Sequence, residues 1–205
     1  MSFAAIDIIK PYKWKPIVTI VVSTLALVIF NYQEVIPNSM YSGLLVFLAI
    51  PLFVILGVFR ETPANYGMQI GDWKRGLQYT ALGCLVVAII LWIAVDFPGI
   101  TPYYAPQATG RMPYVLRNAI ELLDWEFFFR GFLLFSLAEI CGPYAILLQA
   151  VPFTLAHFGK PYIETISCIF GGAAFGYIAW RTKSFIYPYF IHLFLASFVI
   201  FLASR

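Results

Sequence analysis

The chain has 205 residues, 61% of them hydrophobic and 11% charged, with a mean hydropathy of +0.84 and a net charge of +3. An ordinary soluble domain is about a quarter charged, so this balance excludes a soluble globular protein and describes one that lives in the lipid bilayer. The positive charge is too small and too scattered for a nucleic-acid partner.

A membrane-crossing helix takes roughly 20 apolar residues. Read in chain order, apolar runs predict spans at about 16–32, 41–59, 76–95, 113–138, 142–158, 162–180 and 184–203. The expected fold is therefore all-α, a polytopic transmembrane bundle of about seven helices, forming a single membrane domain over residues 1–205. Residues 1–15 mix Phe3, Ile8, Ile9, Tyr12 and Trp14 with lysines, a pattern suited to an interfacial segment. No small-x-small cleavage site follows the first run, which reads as a retained anchor.

Lysines and arginines collect before the first span, between the second and third, and at Arg181 and Lys183. The positive-inside rule then puts the N-terminus in the cytoplasm and the C-terminus outside, with a prokaryotic cytoplasmic membrane as the expected location. Residues 96–112 read as an external loop rich in turn formers. Gly172 and Gly176 stand four apart in the sixth span, a small-residue face that admits close helix packing. Cys84, Cys141 and Cys168 are isolated and lack metal or disulfide spacing.

The fourth span carries the unusual chemistry. Charges within a span are costly and face the bundle interior or one another. At 100° per residue Glu126 and Arg130 share one face, while Arg117, Glu121 and Asp124 cluster on the opposite face and read as structural. The only two histidines, His157 and His192, fall in or beside the fifth and seventh spans. A carboxylate next to an arginine stays ionised yet basic in low dielectric, and imidazoles suit the stabilisation of an oxyanion. Glu126, His157 and His192 also form a two-histidine, one-carboxylate set that zinc accepts. H-E-x-x-H is absent, and the residues leave both a metal-free site and a zinc site open.

Three segments, "WEFFFRG" (125–131), "FTLAH" (153–157) and "HLFLA" (192–196), resemble the motifs of the CPBP family of intramembrane proteases, E-E-x-x-x-R, F-x-x-x-H and H-x-x-x-N. The order, spacing and context agree over residues 112–200. The resemblance implies peptide-bond hydrolysis on a membrane-embedded or membrane-proximal protein or peptide. By it, Glu126 is the general base, His157 orients water or the intermediate, His192 stabilises the oxyanion and Arg130 fixes the glutamate. Trp125 replaces the first glutamate, and Ala196 replaces an amide that helps hold an oxyanion. In "HFGKPYIE", Pro161 suits the first turn of the sixth helix and Glu164 its positive end; this piece together with "WEFFFRG" resembles a CPBP subgroup, which implies Glu164 as a supporting acidic residue beside its reading as a helix-start charge. Two other classes fit the residues: an inactive relative that binds a hydrophobic peptide or partner, and a small transporter.

Overall fold

The computed structural model describes residues 14–32, 35–36, 39–110 and 112–205; all but the last two residues of the expected interfacial segment lie outside them. Among the described residues every regular element is helical, as the hydropathy pattern requires. The membrane helices are α1 (Trp14–Tyr32), α2 (Ser39–Phe59), α3 (Trp73–Ala94), α4 (114–141), α5 (Ala145–Leu155), α6 (Tyr162–Thr182) and α7 (Ile186–Ala203). Six helical runs are long and apolar enough to cross a membrane, the fourth being the 42-residue stretch Tyr114–Leu155. Gly142, at φ 54°, breaks that stretch into α4 and α5. With 11 residues, α5 rises only about 16 Å, short of a full crossing.

Small residues set which faces meet. In α1 the buried positions are Pro16, Thr19, Ser23 and Ala26, one stripe at helical spacing, and Thr19 donates to Ser136 Oγ on α4 at 2.9 Å. The α5–α6 hairpin closes on glycines: a Cβ on Gly172 would stand 2.9 Å from Phe153 and one on Gly176 would stand 2.6 Å from the Gln149 amide. Gln149 donates to the Gly172 carbonyl at 2.7 Å, so the small-residue face is closed by a buried hydrogen bond as well as by contact. Where α3 meets α7, Gly76 lies under Tyr187 and Gly83 under Ile191.

The outer loop departs from the expectation of an irregular connection. It forms a short helix, Ile100–Tyr104, and one further turn, Ala105–Ala108, whose Ile100 and Tyr104 pack on Ile200 and neighbouring residues of α7. The connection from α2 to α3 docks at the opposite end, where Asp72 N–H donates to the Thr182 carbonyl and Tyr187 O–H to the Ile70 carbonyl. Lys15, Arg60, Lys74, Arg75, Arg181 and Lys183 sit at that end, with Lys15 paired to Glu61.

Gly172→Leu should force α5 and α6 apart, because overpacking of a close interface costs about 1–3 kcal/mol. A lower unfolding temperature in detergent, read by intrinsic tryptophan fluorescence, is the expected result.

Candidate active site

The site begins with a change of pitch in α4. After Glu126, residues Phe127–Leu133 form a wider π-type turn in which all seven residues are buried, Arg130 among them. Such turns recur at functional sites because they re-aim a few side chains without ending the helix. Glu126 and Arg130 are both fully buried, and Nη1 of the arginine lies 3.1 Å from Glu126 Oε1. Aromatic faces enclose the rest of the guanidinium: its carbon stands 3.8 Å from the Phe153 ring centroid, 5.3 Å from Phe175 and 5.8 Å from Phe129. A cation that cannot lose its proton is thus held by one carboxylate and three quadrupoles.

The same Glu126 oxygen meets His192 Nδ1 at 2.6 Å. Nε2 is therefore the uncommitted nitrogen of that ring. Phe175 on α6 and Phe153 on α5 pack on the imidazole at 5.4 and 6.0 Å. Glu126 Oε2 is buried and has no protein partner.

His157 follows the end of α5, in a tight turn. Side chains tilt toward a helix's N-terminus, and the ring points back along α5 to lie 4.5 Å from Phe153. Its Nδ1 contacts the Phe153 carbonyl at 2.7 Å. A carbonyl only accepts, so Nδ1 carries the proton and donates. Burial, and then the nearby Lys160 ammonium, push its pKa down to about 3, which keeps the ring neutral and leaves Nε2 as a lone-pair acceptor. The F-x-x-x-H pattern has a physical basis here: Phe153 supplies the carbonyl for His157 and the ring for Arg130.

Two cavities of about 240 and 310 Å³ meet at Glu121, Leu122, His157, Lys160 and His192. The first is mainly apolar and runs past Phe30, Met40, Phe47 and Trp125. The second, also mainly apolar, reaches Tyr104, Asn118, Glu164 and Ala196. Trp125 forms a wall, edge-on to Phe47 at 5.3 Å, and leaves the path to the histidines open. Glu126 lines neither cavity; His192 separates it from both.

Glu126, Arg130 and His192 are thus in direct contact, and His157 joins them through Phe153. Glu164 lies on the wall of the second cavity, where its Oε1 accepts from Tyr104 O–H at 2.7 Å and from Lys160 Nζ at 3.0 Å. Burial and then this carboxylate push the Tyr104 pKa up. Pro161 stands one position before the helix rather than in its first turn. Glu121 and Asp124, on the face opposite Glu126, both line the first cavity, and the buried Asp124 carboxylate also packs against α2, where a Cβ on Gly43 would stand 2.8 Å from it. Among the described residues no three His, Cys, Asp or Glu side chains are grouped to hold a metal ion. The ligand set Glu126, His157 and His192 does not fit zinc in this arrangement, since Glu126 Oε1 and His192 Nδ1 are committed to each other.

Asn118, Tyr104 and Lys160 belong to the cavity without having been singled out in the sequence. Only Lys160 carried a signal, standing three residues after His157 in a polar turn.

The site is thus a buried glutamate paired to a cavity-lining histidine within a helical membrane bundle. Residues 125–198 match the family model of type II CAAX prenyl endopeptidase, Rce1-like. All three motifs lie within this matched segment, which is the part of the chain that resembles the CPBP family. No curated protein and no solved structure matches the chain.

The depressed pKa of His157 makes a prediction about stability against pH. Above about pH 6.5 the ring is neutral in folded and unfolded chains alike. As the pH falls from there toward 3 only the unfolded chain takes up the proton, so stability declines. His157→Asn keeps a donor for the Phe153 carbonyl, and its unfolding temperature should fall less steeply over that acid range than that of the wild type.

Proposed function

We propose that the chain is an intramembrane endopeptidase that hydrolyses a peptide bond of a membrane-associated or exported protein. The observation that carries this reading is the 2.6 Å contact between Glu126 and His192, with His192 lining both cavities. Glu126 remains the source of basicity, but His192, which the resemblance makes the oxyanion stabiliser, stands between it and the cavities and in this reading relays that basicity to water. With Nδ1–H donated to the carboxylate, Nε2 accepts a proton from a water that the His157 Nε2 lone pair orients. The water's O–H bond breaks, its oxygen adds to the scissile carbonyl carbon, and the imidazolium is stabilised by Glu126. Collapse of the tetrahedral intermediate breaks the C–N bond, and the Nε2 proton passes to the leaving amine. Arg130 holds Glu126 in place, and Glu164 fixes Lys160 and Tyr104 at the cavity wall.

Quantitative terminal-peptide mass spectrometry on native-host membranes tests this. A deletion strain restored with wild type should show new protein termini that Glu126→Gln, at matched abundance, fails to produce. Identical termini with the two variants would instead support an inactive relative binding a hydrophobic peptide, the reading that Ala196 favours. Stoichiometric zinc in purified, active protein would replace the metal-free scheme.

The basic residues at one end of the bundle support a cytoplasmic N-terminus, in a prokaryotic cytoplasmic membrane, with both cavities opening toward the other side. A C-terminal alkaline phosphatase fusion should be active and a C-terminal fluorescent-protein fusion dark; the reverse pattern would invert the orientation.

A further inference from the structure

Catalysis by Glu126 and the two histidines makes no use of the carboxylates on the wall of the first cavity. Asp124 is 2% exposed, and its Oδ2 has no hydrogen-bond partner among the described residues. A buried carboxylate without a donor is destabilising, so its retention calls for a reason. Gly43 of α2, also on the cavity wall, packs against this oxygen. A Cβ there would stand 2.8 Å from Oδ2, so the absence of a side chain at position 43 is what leaves the carboxylate its place.

Glu121 adds a second carboxylate one turn earlier, where the two cavities meet. The basic groups near it are Arg117 and Lys160. Arg117 reaches the Gln107 carbonyl at 3.5 Å, and Lys160 Nζ lies 3.0 Å from Glu164 Oε1. The first cavity therefore sets two carboxylates against a lysine that is already paired.

The rest of the wall is apolar, built from Phe30, Met40, Phe47 and Trp125. Its volume of about 240 Å³ falls below the roughly 300–1,000 Å³ of pockets that take a whole small molecule, and suits one long side chain. An occupant that fits both features is apolar along its length and cationic at its tip. Lysine and arginine have that form: their stems bury against apolar surface while their heads seek charge. His157 and His192 line the same cavity, and the Trp125 ring stands 6.0 Å from that of His157. A side chain seated here belongs to a residue beside the bond that the histidines face.

We propose that the first cavity is a specificity subsite for a lysine or arginine of the substrate, with its stem against Phe47 and Trp125 and its head on Asp124 and Glu121. This rests on the endopeptidase reading and gives its substrate a class, a peptide with a basic residue close to the cleaved bond. Trp125, at the place of the first motif glutamate, then serves as the wall of that subsite.

The test uses the full chain in native-host membranes, with the host's own membrane proteome as probe and the residues flanking each wild-type-dependent terminus as readout. Lysine or arginine should occupy one fixed position beside the cut. Asp124→Asn, which keeps the shape and removes the charge, should slow the appearance of those termini by about 10-fold or more, the scale of one hydrogen bond to a charged group. Its abundance on immunoblot should match wild type and its unfolding temperature in detergent should be no lower, because the substitution relieves an unpaired charge. Termini without a fixed basic residue would overturn the proposal, as would an Asp124→Asn rate near that of wild type or a lower unfolding temperature, the mark of a structural carboxylate. Glu126→Gln reports on the parent reading: termini produced equally by it and by wild type would sink the endopeptidase. A binding measurement then judges the subsite by itself. n-Butylammonium chloride, a lysine stem and head without the peptide, should raise the unfolding temperature of purified wild type relative to equal sodium chloride, and Asp124→Asn should lose that rise. An equal rise in both proteins, or none in either, would overturn the subsite.

Discussion

The bundle is organised around a guanidinium that it cannot neutralise. Arg130 has no exposure, and a buried cation that cannot shed its proton must find its compensation in the protein. Four helices contribute: α4 brings Glu126, α5 the face of Phe153, α6 Phe175, and α7 the histidine that shares the glutamate's oxygen. Moving any one of them leaves a charge or a dipole unpaired in low dielectric. The relative positions of α4 to α7 are therefore fixed electrostatically as well as by packing.

That arrangement also explains why the reactive carboxylate is hidden. A glutamate open to the cavity would be solvated and its hold on Arg130 screened. Set behind His192, it keeps both contacts and still acts on the cavity through the ring. The glycines of α6 serve the same end by letting Phe153 come close enough for its ring to cover the arginine.

Much of this was legible in the sequence. The seven apolar runs lie within a few residues of the observed helices, because hydropathy over 20 positions is a strong signal. Glu126, Arg130, His157 and His192 stood out because charge is so rare in such runs. The wider turn after Glu126 was hidden, since a 100° period assumes a uniform helix; it is one reason why Phe127–Leu133 is buried all round. The roles of Glu121, Asp124 and Asn118 on the cavity wall were equally hidden. They depend on where α4 meets α2 and α7, and those contacts are between segments far apart in the chain. The glycine after Arg130 had a readable letter but an unreadable reason: a Cβ there would lie 2.8 Å from the Tyr66 carbonyl, 65 positions away.

The run of phenylalanines below Glu126 has an electrical consequence. The second cavity leads from Tyr103 and Gln107, in the connection before α4, to Phe175 and His192, so it forms a bay that reaches the middle of the bundle from one end. An energised membrane holds a voltage and a proton gradient across its full thickness, and a half-depth bay concentrates both across what remains. Phe127, Phe128, Phe129 and Phe132 fill that remainder with no solvent exposure. The fixed positive charge of Arg130 stands among them and repels any proton that passes His192. The block thus closes the inner end of the bay and separates it from the opposite end of the bundle.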